Sequence, residues 1–212
     1  RYLAADEPGR AAYYYDVRRR YNTQPRASSA SQVNSADIKR AAAMLFLNKT
    51  CYNGLFRVNA RGEFNVPHGR YRQPSICDGA NLRRVAALLQ RAEVRVAPFT
   101  ACAAWVDDAT FVYFDPPYRP LTPTSSFTAY SAFKFDDDDQ AALAAFFAHL
   151  HDTSGAKLMA SNSDPSSIDP ADDFFTRLYG RFTIRRVWAN RMINTQAGKR
   201  GKIPELLITN YP

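Results

Sequence analysis

The chain has 212 residues, 46% of them hydrophobic and 23% charged, which is enough for one large domain with a sizeable buried core. It carries 28 Lys and Arg residues against 20 Asp and Glu residues, for a net charge of +8, and this basic excess favours a polyanionic partner. Three cysteines at unrelated spacings argue against a disulfide scaffold, and no signal peptide or apolar run of ~20 residues indicates secretion or a membrane span.

The first 47 residues predict two helices. Residues 1–26 are polar and arginine-rich and predict a short helix. The apolar and aromatic positions of this helix are Tyr14, Val17 and Tyr21. After a serine-rich loop, Ser35 or Asp37 is expected to cap a second helix that runs to about Leu47. The expected buried face of the second helix consists of Ile38, Ala42, Leu45 and Phe46.

Residues 48–71 have a different sequence pattern, in which turn-forming pairs such as Asn53-Gly54 and Arg61-Gly62 interrupt short apolar stretches. Residues 55–58 and 63–66 predict a hairpin that turns at residues 59–62. Further along, Asp78 is expected to cap a helix with a buried apolar stripe. The stripe consists of Leu82, Val85, Leu88 and Leu89.

The second half of the chain alternates strands and helices. Strands are predicted at residues 94–96, 111–114, 158–160, 182–187 and 205–210, and helices at residues 137–149 and 173–178. The run of four aspartates at residues 136–139 lies at the start of a helix, where the helix dipole favours negative charge, so we interpret it as stabilising rather than metal-binding. This alternation predicts an α/β sheet that binds ligands at the carboxyl ends of its strands.

Basic residues are concentrated in two runs. Residues 49–72 contain five Lys and Arg residues and one acid, and residues 177–202 contain eight and no acid. A solvated surface is the ordinary explanation of such a run. In the first run, however, interleaved aromatic residues favour contact with nucleic acid.

The tetrapeptide Asp115-Pro116-Pro117-Tyr118 follows the apolar run at residues 111–114. Each proline fixes φ and lacks a backbone N–H, and each restricts the residue before it to extended conformations. The turn is therefore stiff, with a carboxylate at one end and a flat ring at the other. This arrangement suits a planar amino group, since Asp115 and the turn carbonyls can accept its N–H bonds while Tyr118 stacks on the ring that bears it.

These four residues resemble the catalytic motif of amino-methyltransferases, which act on DNA adenine, on DNA cytosine at N4 or on ribosomal RNA. The remaining sequence narrows the choice. Residues 48–59 and 62–71 resemble the DNA-reading insert of the Dam-type (alpha group) DNA adenine-N6 methyltransferases. Residues 127–130, 161–164 and 205–211 match the same family in the same order, so the resemblance extends from about residue 10 to the C-terminus.

The resemblance implies an α/β fold: a partial Rossmann-like class I methyltransferase sheet with a small helical and β-hairpin DNA-recognition insert. Residues 1–30 would be an N-terminal linking segment of the catalytic domain, residues 31–92 the target-recognition insert, and residues 93–212 the catalytic α/β domain. The implied partner is double-stranded DNA and the implied cofactor is S-adenosylmethionine. We expect a cytoplasmic monomer of bacterial or phage origin, without a membrane partner.

By resemblance, Arg57 makes base-edge contacts in the major groove, where its fork matches O6 and N7 of guanine. The implied DNA-binding residues are Lys49, Tyr52, Asn53, Leu55, Arg57, Pro67 and Tyr71. Tyr52 matches an aromatic residue that wedges into the duplex as the target base leaves, although simple packing of a small insert also explains these aromatic residues. Lys49 stands where Arg is frequent, which would weaken a bidentate contact. Family members with this insert commonly recognise GATC, and GATC is the expected site.

The implied reaction is methyl transfer to N6 of an adenine that has left the stack. Asp115 and the carbonyl of Pro116 would accept hydrogen bonds from the amino group, and Tyr118 would stack on the base. Phe127 and Tyr130 would close the other side of the target-base pocket. Asp115 is also the one expected cofactor-binding residue in this chain. No metal is expected, because the three histidines lack ligand-like spacing.

The family's glycine-rich cofactor loop and the acidic residue that follows it do not appear ahead of residue 10. Three explanations remain open: a fragment of a longer enzyme, which we favour because the other motifs are intact; a partner polypeptide that supplies the other half; or a degenerate remnant. The alternative functions are therefore an inactive DNA-binding remnant or half of a split methyltransferase. An RNA base methyltransferase does not explain residues 48–71, and a restriction-modification, phage or orphan role is left open.

Overall fold

The computed structural model describes residues 1–24, 33–121, 135–190 and 202–212. These residues fall into two compact units, one that extends to Val94 and one that begins at Arg95. Each unit has its own hydrophobic core. Among the described residues, no helix is both long enough and apolar enough to cross a membrane.

The first unit contains three α-helices among its described residues: α1 (Glu7–Thr23), α2 (Ser35–Thr50) and α3 (Gly79–Leu89). The expected cap of α2 is wrong by one residue, because Asn34 rather than Ser35 or Asp37 is the N-cap. The side chain of Asn34 accepts hydrogen bonds from the backbone N–H groups of residues 36 and 37, and Asp37 accepts one from the N–H of Asn34. This reciprocal capping box satisfies donors that the first turn of a helix leaves unpaired.

The core of the first unit forms where α1 meets the last turn of α2. Its most deeply buried members are Tyr14, Leu47, Cys51, Phe64 and Val66. The predicted face of α1 is confirmed at Tyr14 and Val17. The predicted face of α2 is only partly right: Phe46 packs against this core, whereas Ile38 is 62% exposed and Leu47, outside the predicted face, is fully buried.

The predicted hairpin is reduced to a single antiparallel bridge between Val58 and Phe64. Two backbone hydrogen bonds flank it, from the N–H of Asn59 to the carbonyl of Glu63 (2.9 Å) and from the N–H of Asn65 to the carbonyl of Arg57 (3.1 Å). The Asn59 side chain accepts two further backbone N–H bonds and closes the turn.

Helix α3 begins as predicted, because the carboxylate of Asp78 caps it by accepting from the backbone N–H of Asn81. The predicted burial of its apolar stripe is wrong. All four stripe residues are exposed, with Leu88 at 65%, and no described element makes extensive contact with α3. An amphipathic pattern predicts a helix with an apolar face, but it does not specify what covers that face.

The second unit is built on a four-stranded sheet. Its strands are β1 (Phe111–Phe114), β2 (Lys157–Ser163), β3 (Thr183–Asn190) and β4 (Lys202–Thr209). The strand order is β1-β2-β4-β3; β1 and β2 are parallel, and β4 is antiparallel to both of its neighbours. Two helices, α4 (Asp137–Ser154) and α5 (Phe174–Tyr179), accompany the sheet. The predicted α/β fold class is confirmed.

One predicted strand of the second half is wrong and one differs in burial. Val94 and Val96 form no strand, and both are highly exposed. Strand β1 is confirmed, but it is an edge strand in which only Phe114 is buried. The other predicted strands and helices of this half are confirmed, with ends that shift by a few residues.

The start of α4 explains the run of aspartates. Asp136 is the N-cap and accepts from the backbone N–H groups of Asp138 and Asp139, while the Asp139 carboxylate accepts from the N–H of Asp136. The stabilising interpretation of this run is therefore confirmed. The helix buries Leu143, Phe147 and Leu150 against the core of the sheet.

Candidate active site and nucleic-acid surface

The candidate active site lies where the parallel strands β1 and β2 end side by side. Phe114 pairs with Ala160, so the next residues along each strand are Asp115 and Ser161. Beyond Ser161, residues 162–164 are all buried. The carboxyl edge of parallel strands is where α/β proteins usually bind their ligands.

A chain of hydrogen bonds orients the carboxylate of Asp115. Ser161 Oγ donates to Asp115 Oδ1 (3.3 Å), and the hydroxyl of Tyr113 lies 2.7 Å from Ser161 Oγ. Since the serine has one proton and gives it to the carboxylate, Tyr113 must donate to Ser161. Asp115 is exposed, and its second carboxylate oxygen has no hydrogen bond to a described residue, so that oxygen can accept from a ligand.

Tyr118 is half-buried, and its hydroxyl donates to Glu205 Oε2 on β4 (3.3 Å). Burial raises the pKa of Tyr118 to about 12, with the charges of Glu205 and Asp115 acting in the same direction and Ser161 in the opposite one. The phenol is therefore neutral at physiological pH. Tyr118 can supply a flat ring, but its one hydroxyl proton is already donated to Glu205, and it is not equipped to act as a base.

Arg119 anchors the chain immediately after the turn. Its guanidinium lies between the carboxylates of Asp137 (2.8 Å) and Asp172 (2.6 Å), with the ring of Phe174 4.4 Å below. This hydrogen-bonded pairing lowers the pKa of Asp172 below its usual range. Arg119 therefore fixes the exit of the Asp115–Tyr118 turn to the starts of both α4 and α5.

Sequence reasoning placed Asp115 and Tyr118 in the site but gave no role to Ser161, Glu205 or Arg119. The first two fall in segments that carry the family resemblance, which was the available signal. Arg119 had only its position next to the motif. Phe127 and Tyr130, predicted to close the target-base pocket, lie outside the described residues.

In the first unit, the structure holds Arg57, predicted to contact a base edge, at the surface. It is exposed, and its Nε donates to Asn65 Oδ1 (2.7 Å) across the residue 58–64 bridge. This bond uses the inner nitrogen and leaves the two terminal amino groups of the fork without a hydrogen bond to a described residue. Such a held but unoccupied fork can donate two parallel bonds to a base edge.

The other predicted DNA contacts gather around a short 3₁₀ turn, Tyr52–Gly54. The Tyr71 hydroxyl accepts from the N–H of Asn53 (3.0 Å), and the carbonyl of Pro67 accepts from the N–H of Tyr52 (2.9 Å). The rings of Tyr52 and Tyr71 are both partly exposed. A side chain at Gly69 would clash with the Cys51 carbonyl and the Tyr71 ring, each 2.5 Å from the Cβ position. Packing therefore orders Tyr71 while leaving much of its ring available.

Lys49 and Leu55 differ in their surroundings. Lys49 is an exposed residue in the last turn of α2. Leu55 is half-buried and packs against the core of the first unit. A role for Leu55 at a base edge would use only the exposed part of its side chain.

A mixed α/β sheet with an Asp-Pro-Pro-Tyr turn at the carboxyl edge of its parallel strands defines a class I, amino-methyltransferase type of protein. Residues 1–193 match the family described as D12 class N6 adenine-specific DNA methyltransferase. The chain belongs to this family, and the Dam-type resemblance drawn from its motifs is confirmed.

Individual relatives agree with this assignment. The chain is 48% identical over 211 residues to the type II methyltransferase M.MjaIII of Methanocaldococcus jannaschii, covering 99% of this chain and 68% of the relative. It is 35% identical over 178 residues to the type II methyltransferase M1.LlaDCHI of Lactococcus lactis, covering 83% and 60%. It is 35% identical over 213 aligned residues to the DNA adenine methylase of Escherichia coli, covering 100% and 69%. The chain thus spans about two thirds of the length of these relatives.

The family implies use of S-adenosylmethionine as the methyl donor. The described residues fit only the group that accepts the methyl. Asp115 and Tyr118 suit the amino group that receives the methyl. Among the described residues, no strand leads through a glycine-rich turn into a helix, which is the usual cradle for such a nucleoside cofactor.

Proposed function

We propose that the protein methylates the exocyclic amino group of a flipped adenine in double-stranded DNA, using S-adenosylmethionine as the methyl donor. The observation that carries the proposal is the exposed Asp115 carboxylate, oriented by Ser161 at the carboxyl end of β1. Membership of an adenine-specific DNA methyltransferase family supports the substrate class.

The amino group of adenine is a weak nucleophile because its lone pair is delocalised into the ring. In the proposed mechanism Asp115 and the carbonyl of Pro116 accept its two N–H bonds, which increases electron density on the nitrogen as it attacks. The methyl–sulfur bond would break as the nitrogen–methyl bond forms, and the amino group would release one of its two protons. Tyr118, neutral at the working pH, stacks on the base. The cofactor supplies an electrophilic methyl group, and the protein contributes positioning and electrostatic stabilisation.

The proposed recognition site is GATC, read in part by the fork of Arg57. Support comes from the exposed guanidinium held by Asn65 and from the resemblance of residues 48–71 to an insert whose bearers commonly recognise GATC. The aromatic rings of Tyr52 and Tyr71, in the same unit, provide further partly exposed surface. In this proposal Tyr52 wedges into the duplex, and Lys49, Asn53, Leu55 and Pro67 complete the interface.

Labelled methyl transfer to duplexes with and without GATC tests the function and the site together. Transfer confined to GATC duplexes would support both. Transfer to adenine in other sequences would keep the reaction and reject the site. Selective binding without transfer would reject methyl transfer by this chain alone, leave a DNA-reading module and point to the cofactor loop that the described residues lack.

Asp115→Ala tests the role of the turn. We expect loss of methyl transfer by at least ~100-fold, because the only side-chain acceptor assigned to the amino group is removed. Duplex affinity should change little. Asp138→Ala, at an exposed aspartate with no assigned site role, is the matched control. Turnover retained by Asp115→Ala would refute the mechanism.

A further inference from the structure

The prolines restrict φ in the Asp115–Tyr118 turn, but they cannot anchor it by backbone hydrogen bonds, because Pro116 and Pro117 have no N–H to donate. Its carbonyl orientation must be fixed by donors from elsewhere. The described structure contains one such donor at the centre of the turn. Nε2 of Gln140, on the first turn of α4, donates to the carbonyl of Pro117 at 2.9 Å.

A second buried amide, that of Asn162, hydrogen-bonds both to Gln140 and to the backbone that follows the turn. Asn162, near the end of β2, donates from Nδ2 to Gln140 Oε1 (3.0 Å) and accepts at Oδ1 from the backbone N–H of Arg119 (3.0 Å). Gln140 is 1% exposed and Asn162 is 3% exposed. Because a lost partner would leave a desolvated amide unpaired, these bonds resist rearrangement.

The two amides fix both peptide planes that flank Tyr118. One bond holds the Pro117 carbonyl on the N-terminal side, and the other holds the Arg119 N–H on the C-terminal side. Two soft dihedrals per residue set the direction of its Cα–Cβ bond, so this pair fixes the point and direction from which the Tyr118 ring projects. The ring of Pro117 locks its own φ, and the restraint therefore extends back towards the Pro116 carbonyl.

We propose that Gln140 and Asn162 are positioning residues for methyl transfer, acting as an amide brace on the catalytic turn. The proposal rests on the proposed function, in which Tyr118 and the Pro116 carbonyl meet the flipped adenine. The brace touches neither base nor cofactor. It keeps the ring and the carbonyl aligned, and a small misalignment at such a site lowers the rate strongly while leaving binding in place.

Gln140→Met tests the brace by keeping the length of the side chain and removing both hydrogen bonds. We expect the single-turnover rate of methyl transfer to fall roughly 10- to 100-fold, with duplex dissociation constants unchanged. A wild-type single-turnover rate in a folded Gln140→Met protein would overturn the proposal. Lack of transfer by the unsubstituted protein would instead reject the proposed function.

Asn210→Leu is the matched control for a purely structural role. Asn210 is also an amide that bridges backbone groups, donating to the Ala156 carbonyl (2.8 Å) and accepting from the N–H of Leu158 (2.7 Å). It lies at the opposite end of β2, away from the turn. We expect a comparable loss of thermal stability but a single-turnover rate within about twofold of wild type. An equal rate loss in both variants would overturn the positioning role.

Gln140→Glu keeps the proposal testable if the methionine variant does not fold. An ionised carboxylate cannot donate to the Pro117 carbonyl, whereas a protonated carboxyl can. The rate relative to the unsubstituted protein should therefore recover as pH falls from about 9 to about 6, the range in which buried carboxyls titrate. A relative rate that does not change with pH would overturn the requirement for a donor at this position.

Discussion

At the scale of single residues, substitution of Arg57 is the most direct test of the proposed DNA recognition. Its Nε donates to Asn65, so under the proposed function the guanidinium would be oriented before DNA binds. Arg57→Ala should cost about 1–3 kcal/mol of discrimination at one base pair. Binding to duplexes altered one base pair at a time, at fixed salt, measures this cost. A loss that is equal on all sequences would instead identify a phosphate contact.

Asn65→Ala separates the orientation of the Arg57 guanidinium from the contact that this group is proposed to make with DNA. It leaves the guanidinium in place but removes the 2.7 Å bond that holds it. We expect a smaller loss of discrimination at the same base pair as for Arg57→Ala, because part of the ordering cost must then be met on binding. An effect at a different base pair would reject the aiming role of Asn65.

His68 should make the stability of the first unit depend on pH. Its side chain is 8% exposed, and its Nε2 lies 2.7 Å from the Tyr2 hydroxyl. Burial lowers the pKa of His68, with Arg10 and Arg70 acting in the same direction and Glu7 opposing them. The folded protein therefore favours the neutral ring. Its contribution to stability is complete above the unfolded pKa and is lost as pH falls towards the lower folded pKa.

Denaturation midpoints measured from pH 7.5 to pH 5 test this linkage, a window that spans the ordinary histidine pKa of about 6.5. The midpoint of the unsubstituted protein should drop more steeply with acidification than that of His68→Phe, which cannot titrate. Equal slopes in the two proteins would reject the assignment to His68.

How much of the site could be predicted depends on sequence separation. The turn residues Asp115 and Tyr118 belong to one tetrapeptide, and their chemistry can be inferred from residue types alone. The residues that orient them, such as Glu205 and Gln140, lie 87 and 23 positions from their partners in the turn. Only the strand order and the helix packing bring these side chains together, and no local pattern encodes those distances.

At the scale of elements, the start of α4 depends on one carboxylate. Asp136 satisfies two of the unpaired N–H groups of the first turn. Asp136→Ala should lower the free energy of unfolding by about 1 kcal/mol. Urea denaturation measures the loss. Asp138→Ala keeps the cap and should cost less, since it removes only a favourable charge near the helix dipole.

The order and type of elements were predictable because their signals are local. Caps, proline turns and apolar periodicity lie within a few residues of one another, as at Asp78 and residues 111–118. Burial was less predictable. Leu47 rather than Ile38 lies in the core, and the stripe of α3 is exposed, because the covering partner of a face is set by contacts between distant segments.

At the scale of the whole molecule, the two basic runs differ in how their charges are used. In the second run, Arg177, Arg181 and Arg186 pair with Asp173, Asp152 and Asp164 at 2.6–2.8 Å. In the first run, the one ion pair among the described residues is a long one of 3.8 Å between Arg70 and Glu7. The number of these charges can be read from the sequence. Only the fold shows which of them are paired with carboxylates and which are not.

The two compact units of the described chain do not follow the predicted segments in one respect. The unit that extends to Val94 includes α1, whereas the sequence assignment grouped residues 1–30 with the catalytic domain. Helix α1 packs on α2 and donates the Tyr14 hydroxyl to the Val66 carbonyl at 2.8 Å. The functional assignment of the three segments stays a prediction.

The available charges of the first run should dominate the salt dependence of DNA binding. Each phosphate contact releases counterions and contributes about 0.9 to the slope of log K against log salt. Lys49→Gln and Arg61→Gln, at exposed residues without an ion pair to a described residue, should each reduce the slope by about that amount if they contact phosphate. Arg181→Gln removes the same charge from a residue already paired with Asp152. It should leave the slope unchanged, and equal slope changes in all three variants would show that net charge, not its placement, governs binding.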